Sequence, residues 1–100
     1  MHLAAPGAPR FAGSMRAVRD RTLRDAEALA AAGFDAVIVE NSGDAPFYRG
    51  PVPPETVAAI TLAADDAMRA SGLPLGVNVL RNDGASALAV AAAVGARFVR

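Results

Sequence analysis

The chain has no cysteine, no lysine, one histidine and only five aromatic residues among its 100. Without cysteine, disulfides and thiolate chemistry are excluded and the redox compartment is left undetermined. Without lysine, no Schiff-base nucleophile is available in this stretch; with arginine and alanine abundant, that absence reads as nucleotide-composition bias. Ten arginines balance seven aspartates and three glutamates, so there is no excess of either sign. A nucleic-acid binder normally shows a basic surplus with aromatics beside it, so that class is set aside. Asp, Arg, Glu or Pro interrupts every apolar run well short of the ~20 residues of a membrane span, and no basic segment leads into an apolar one as in a secretory signal. The expected locale is the cytoplasm, with peripheral attachment to a membrane left open. One histidine and scattered carboxylates do not give metal-ligand spacing, and no cofactor is specified.

With 53% hydrophobic and 20% charged residues, the chain has the composition of a folded protein. A chain this size buries roughly two-thirds of its unfolded surface. Two short apolar runs end in polar clusters of the same kind, Ala36-Val37-Ile38-Val39-Glu40-Asn41 and Gly76-Val77-Asn78-Val79-Leu80-Arg81-Asn82-Asp83. Buried parallel strands read as continuous apolar runs, and ligands of parallel α/β folds sit at the strands' carboxyl ends, so the two clusters are expected on one face.

A helix-to-strand junction recurs around Gly33, Gly72 and Gly95, each glycine standing where a helix should stop and a β-branched or aromatic run follow. The first helix is expected from Ser14 to Ala32, with Met15, Val18, Leu23, Ala26, Leu29 and Ala30 as its apolar stripe. The second starts at the Pro53-Pro54-Glu55 corner and buries Val57, Ile60, Ala64 and Met68. The third, Ala85 to Val94 with Asn82 or Asp83 as cap, is apolar nearly all round and is expected to be covered on most sides. A strand end at Met1 to Leu3 and a strand start at Phe98 complete the order. Strands alternating with helices specify an α/β fold of parallel βα units. A (β/α)8 barrel needs about 250 residues and a doubly wound sheet usually five or six strands. Residues 1–100 are therefore read as a single partial domain, truncated at the C-terminus and at the N-terminus.

The string Val39-Glu40-Asn41-Ser42-Gly43-Asp44-Ala45-Pro46-Phe47-Tyr48, then Val52-Pro53-Pro54-Glu55-Thr56, then Gly76-Val77-Asn78-Val79-Leu80-Arg81-Asn82-Asp83 resembles the BtpA/SgcQ family. Met1-His2-Leu3 before a Pro/Gly-rich loop is similar to that family's first strand end. The resemblance covers nearly the whole chain and the leading part of a family member. Ala4-Ala5 stands where Leu-Pro or Pro-Pro is common, and Ser42 where Phe or Tyr is frequent. The resemblance implies a TIM-barrel-like (β/α)8 domain, of which this chain would be the incomplete N-terminal part, and a role in biogenesis or stability of a membrane protein complex, photosystem I in photosynthetic relatives.

At the carboxyl-end face of a barrel a buried carboxylate can act as acid or base. Glu40 is the first candidate for that catalytic role and Asp83 the second. Asn41, Asn78 and Asn82 are candidates to hold a polar ligand, Arg81 to pair an anionic group bidentately, and His2 to face them as acid, base or hydrogen-bond donor. Asp44 completes the substrate-binding candidates. Each has a plainer alternative. Asn82 and Asp83 can simply cap a helix. Asp44 with Gly43 can simply form a turn, and His2 can be a frayed terminus. Phe47 and Tyr48 can line a pocket or pack their loop down.

Two functions of different class follow. One is an assembly or stability factor for a membrane protein complex. The other is a barrel enzyme or binder for a small phosphorylated or sugar-like metabolite, with the isolated fragment inactive. A third expectation is homo-oligomerisation through open sheet edges.

Overall fold

A computed structural model describes residues 1–100. Three helices, α1 (Met15–Ala31), α2 (Pro54–Ser71) and α3 (Gly84–Val94), alternate with three strands, β1 (Val37–Glu40), β2 (Leu75–Asn78) and β3 (Phe98–Val99). The strands form one parallel sheet in the order β1-β2-β3, with Glu40 opposite Asn78 and Val77 opposite Val99. Residues 1–3 add to the free edge of β1 in the same direction: the Leu3 N–H donates to Glu40 O and the Glu40 N–H to Met1 O, both at 3.0 Å. Spatial order therefore follows chain order, as expected for successive βα units.

The helix boundaries follow from local chemistry. The Ser14 hydroxyl accepts from the Ala17 N–H at 3.1 Å and starts α1, meeting an amide that the helix itself leaves unpaired. Pro54 begins α2 with Glu55 in its first turn, where a negative charge suits the helix end. Gly72 and Gly95 end α2 and α3 at φ +66° and +77°, conformations that cost a residue with a Cβ.

Alternation along the strands decides what each face buries. Val37, Val39, Leu75 and Val77 enter the core shared with the helices, together with Ile60, which is fully buried. Each such side chain contributes on the order of 1.5–3 kcal/mol by leaving water. The intervening residues, Ile38, Glu40, Gly76 and Asn78, occupy the other face. Helix α2 lies between α1 and α3 and presents Ala59, Ala63, Ala64 and Ala67, all buried, so that its neighbours approach closely. Across the α1–α2 contact, Arg19 donates twice to Asp66, from Nε at 2.7 Å and from Nη2 at 2.9 Å.

Two packing expectations are corrected. The buried line of α1 is Val18, Thr22 and Ala26; Thr22 replaces Leu23 because four-residue steps from Val18 land on it, and its hydroxyl is satisfied by Val18 O at 3.0 Å. Helix α3 is covered on one side only, where it buries its own Ala87 and Val90, and leaves Leu88 exposed. Its outer positions are otherwise mostly alanine, which favours a helix without requiring burial.

Candidate functional site

The three strands and the bridged segment at residues 1–3 bring one residue each to a single row at their carboxyl ends. His2 is the bridge partner of Glu40, and Glu40 is the register partner of Asn78. One step beyond the Val77–Val99 pair, the Arg100 N–H donates to Val77 O at 3.1 Å, bringing Arg100 alongside Asn78. Partnered residues of parallel strands project to the same face, so the row is His2, Glu40, Asn78, Arg100.

Glu40 is its hub. One carboxylate oxygen, Oε1, stands 3.1 Å from His2 Nε2. The other, Oε2, accepts from Asn78 Nδ2 at 3.1 Å and lies 3.7 Å from Arg100 Nη1. The Glu40 side chain is only 13% exposed, whereas His2 and Arg100 are 68% and 75% exposed. A largely sequestered carboxylate is thus flanked by two accessible nitrogenous groups and steered by a buried amide. That arrangement suits proton transfer to or from a ligand lying over the row.

The other expected residues divide into two groups. Arg81 and Asn82 are exposed and, with Asn78 and Arg100, border an open groove at the head of α3. The Leu80–Arg81 peptide in that turn is cis. Asn41 and Asp44 are buried away from it. Asn41 accepts from the Leu80 N–H at 2.7 Å and donates to Leu80 O and to Asp44 Oδ2, both at 3.0 Å. The remaining Asp44 oxygen accepts from the Ala5 N–H at 2.7 Å. These two side chains tie three loops together below the site's rim.

Asp83 caps α3. One oxygen accepts from the Ser86 N–H at 3.0 Å, the other from the Val52 N–H at 2.8 Å and the Ser86 hydroxyl at 2.7 Å. Those bonds, the two backbone amides first, hold its carboxyl below the ordinary value of 3.8. Its oxygens are committed to the fold, and its place is beside the row and outside it.

Arg100 was not among the expected residues. In the structure Phe98 covers Gly76 from this face, and two residues on, the strand period returns to that face at Arg100. Tyr48 is exposed while Phe47 is partly buried. No three His, Asp or Glu side chains converge as metal ligands.

The BtpA family profile matches residues 1–100. The chain belongs to the BtpA family. It is 48% identical over 98 residues to the photosystem I biogenesis protein BtpA of Synechocystis, covering 98% of this chain and 34% of that protein. An uncharacterized protein of Archaeoglobus fulgidus is also 48% identical over 98 residues, covering 98% of this chain and 39% of its own length. An uncharacterized mitochondrial protein of Caenorhabditis elegans is 35% identical over 103 residues, with 97% and 37% covered. This BtpA-family chain therefore spans roughly a third of the length of the curated relatives it matches. No solved structure matches it. No helix is long and apolar enough to cross a membrane.

Proposed function

We propose that the chain is the leading part of a TIM-barrel-like (β/α)8 domain and that its carboxyl-end row is an acid–base site for a small hydroxylated metabolite, phosphorylated or sugar-like. The barrel reading is supported by four segments running side by side in chain order and one direction, with the strand residues facing the helices alternating with those that face away. A doubly wound sheet reverses its strand order at the ligand crevice.

The observation that carries the site is the Glu40 carboxylate held between His2 and Arg100 and hydrogen-bonded by Asn78. Glu40 takes or gives the proton at a substrate hydroxyl or carbon, and His2, at hydrogen-bonding distance, relays it to solvent. Asn78 fixes the carboxylate's orientation. Arg81 and Arg100, both exposed at the groove, pair an anionic substituent. Asn82 hydrogen-bonds its hydroxyls, and Asn41 and Asp44 shape the loops around it.

A panel of sugars and sugar phosphates screened by thermal shift and turnover, with Glu40→Gln in parallel, tests this. The expected result is one chemical class that stabilises the protein and whose turnover falls at least about 100-fold in Glu40→Gln, the scale of general acid–base catalysis. Turnover or binding indifferent to Glu40→Gln sinks the site.

The Synechocystis relative's name supports a second reading, a part in biogenesis of a membrane protein complex such as photosystem I. Membrane co-sedimentation that survives Glu40→Gln, in the absence of any metabolite response, would favour it. The relative in an animal, which has no photosystem, favours the metabolite reading for the family at large.

A further inference from the structure

A second cavity of about 290 Å³ adjoins the row on its His2 side, between the loop after Leu3, the first turns of α1 and the Ser42–Asp44 turn. Its polar lining is His2, Arg10, Arg21 and Ser42, and no carboxylate lines it. In a chain of zero formal net charge this is a local concentration of positive charge.

Two features of that lining stand out. Arg10 has no ion-pair or hydrogen-bond partner, and Arg21 pairs with Asp25, Nε to Oδ2, at 3.6 Å without a hydrogen bond. The Ser42 hydroxyl oxygen is buried and is the one buried side-chain polar atom without a hydrogen-bond partner. An unpaired buried hydroxyl carries a desolvation penalty, which an anion oxygen accepting from it would relieve.

We propose that this cavity is an anion subsite that takes the phosphoryl group of a phosphate monoester, with Arg10 and Arg21 neutralising it and the Ser42 hydroxyl donating to one oxygen. Guanidinium pairs suit phosphate because their planar N–H forks match its oxygens. His2 lines this cavity and also touches Glu40, so a ligand anchored here lies next to the row, with His2 between its anion and the carboxylate. This purpose rests on the acid–base reading of the row; binding itself does not.

The test is titration of this chain with inorganic phosphate at about 0.15 M ionic strength, where surface charges are screened, followed by amide NMR shifts. The variants are Arg10→Gln, Arg21→Gln, Ser42→Ala and Glu40→Gln, with Arg16→Gln on the neighbouring face of α1 as a control. Saturable binding is expected with shifts at Gly43 and Val18, weakened about 5- to 10-fold by each arginine change and about 3-fold or more by Ser42→Ala. Arg16→Gln leaves it within about twofold, the residue of a screened surface charge, and Glu40→Gln, which removes a negative charge in contact with His2, does not weaken it. Ser42→Ala keeps or raises Tm, since it deletes a hydroxyl with no partner.

Absence of saturable binding, equal weakening by Arg16→Gln, or a Tm fall in Ser42→Ala each overturns the subsite. Phosphate binding with the expected variant pattern, alongside turnover indifferent to Glu40→Gln, upholds the subsite and overturns the acid–base row. Turnover that needs Glu40, alongside phosphate binding unaffected by Arg10→Gln and Arg21→Gln, does the reverse.

Discussion

The Asn41 carboxamide pairs with both backbone groups of Leu80, accepting from its N–H at 2.7 Å and donating to its C=O at 3.0 Å. It takes the part of one more strand residue, continuing the β1–β2 ladder past Glu40 and Asn78 into the loops. Asn41→Asp keeps the shape but loses the amide donors and sets a carboxylate against Asp44. Two hydrogen bonds at about 1 kcal/mol each, plus a like-charge contact, predict a loss of about 2–3 kcal/mol. Urea unfolding checks it. A variant as stable as the parent would mean the loops hold together by other means.

Gly43 marks the closest approach of two loops. A Cβ there would stand 2.7 Å from Leu3 O and 2.8 Å from the Ala4 Cβ, and the Gly43 N–H donates to that same Leu3 O at 2.8 Å. Backbone has to move to admit a methyl group. Gly43→Ala is therefore expected to cost about 1–3 kcal/mol. Because His2 precedes Leu3, it should also weaken ligand response at the row. Stability loss measured by thermal unfolding with an unchanged ligand response would separate the loop contact from the site.

Much of the architecture was legible because it rests on local rules. Gly33, Gly72 and Gly95 stood where helices had to stop, and all three have positive φ. The apolar runs ending at Glu40 and around Val77 became neighbouring parallel strands, which brought His2, Glu40 and Asn78 together. What the pattern did not carry was the use each polar side chain makes of its hydrogen bonds. Asn41 and Asp44 follow a strand's carboxyl end as ligand-binding residues do, yet their partners are Leu80 and Ala5, fixed only by tertiary approach. Arg100 was missed because a two-residue strand offers too short a period to mark a face. The exposure of α3 escaped because its hydrophobicity comes largely from alanine, whose small side chain tolerates water.

The Arg19–Asp66 pair is asymmetric in burial, with side chains 47% and 10% exposed. Removing the arginine strands a carboxylate that the α1–α2 contact shields. Removing the aspartate leaves a cation free to swing into water and places alanine, a better helix former, in α2. Arg19→Met should therefore lower stability by about twice as much as Asp66→Ala, and the double variant should recover most of the difference. A double-mutant cycle in urea measures this. Equal losses would mean that water already reaches Asp66.

The pH dependence of stability should carry Asp83's signature. Its carboxylate accepts from the Ser86 and Val52 amides and from the Ser86 hydroxyl, and these bonds depress its folded-state value below the ordinary 3.8. The unfolded chain therefore binds the proton more readily than the folded one. Stabilisation is complete above the unfolded value and is lost as pH falls from about 4 through the lower, folded one. Asp83→Asn keeps one acceptor and leaves the buried Val52 N–H without its partner, at a cost of about 1–3 kcal/mol near pH 7. The gap between parent and variant should stay level from pH 7 to about 5 and narrow by pH 3, where the unfolded parent takes up the proton that the folded one resists. Urea midpoints of both proteins across that range measure it. A gap that persists undiminished at pH 3 would mean that the charge of Asp83 contributes nothing and that its geometry alone holds the β2–α3 turn.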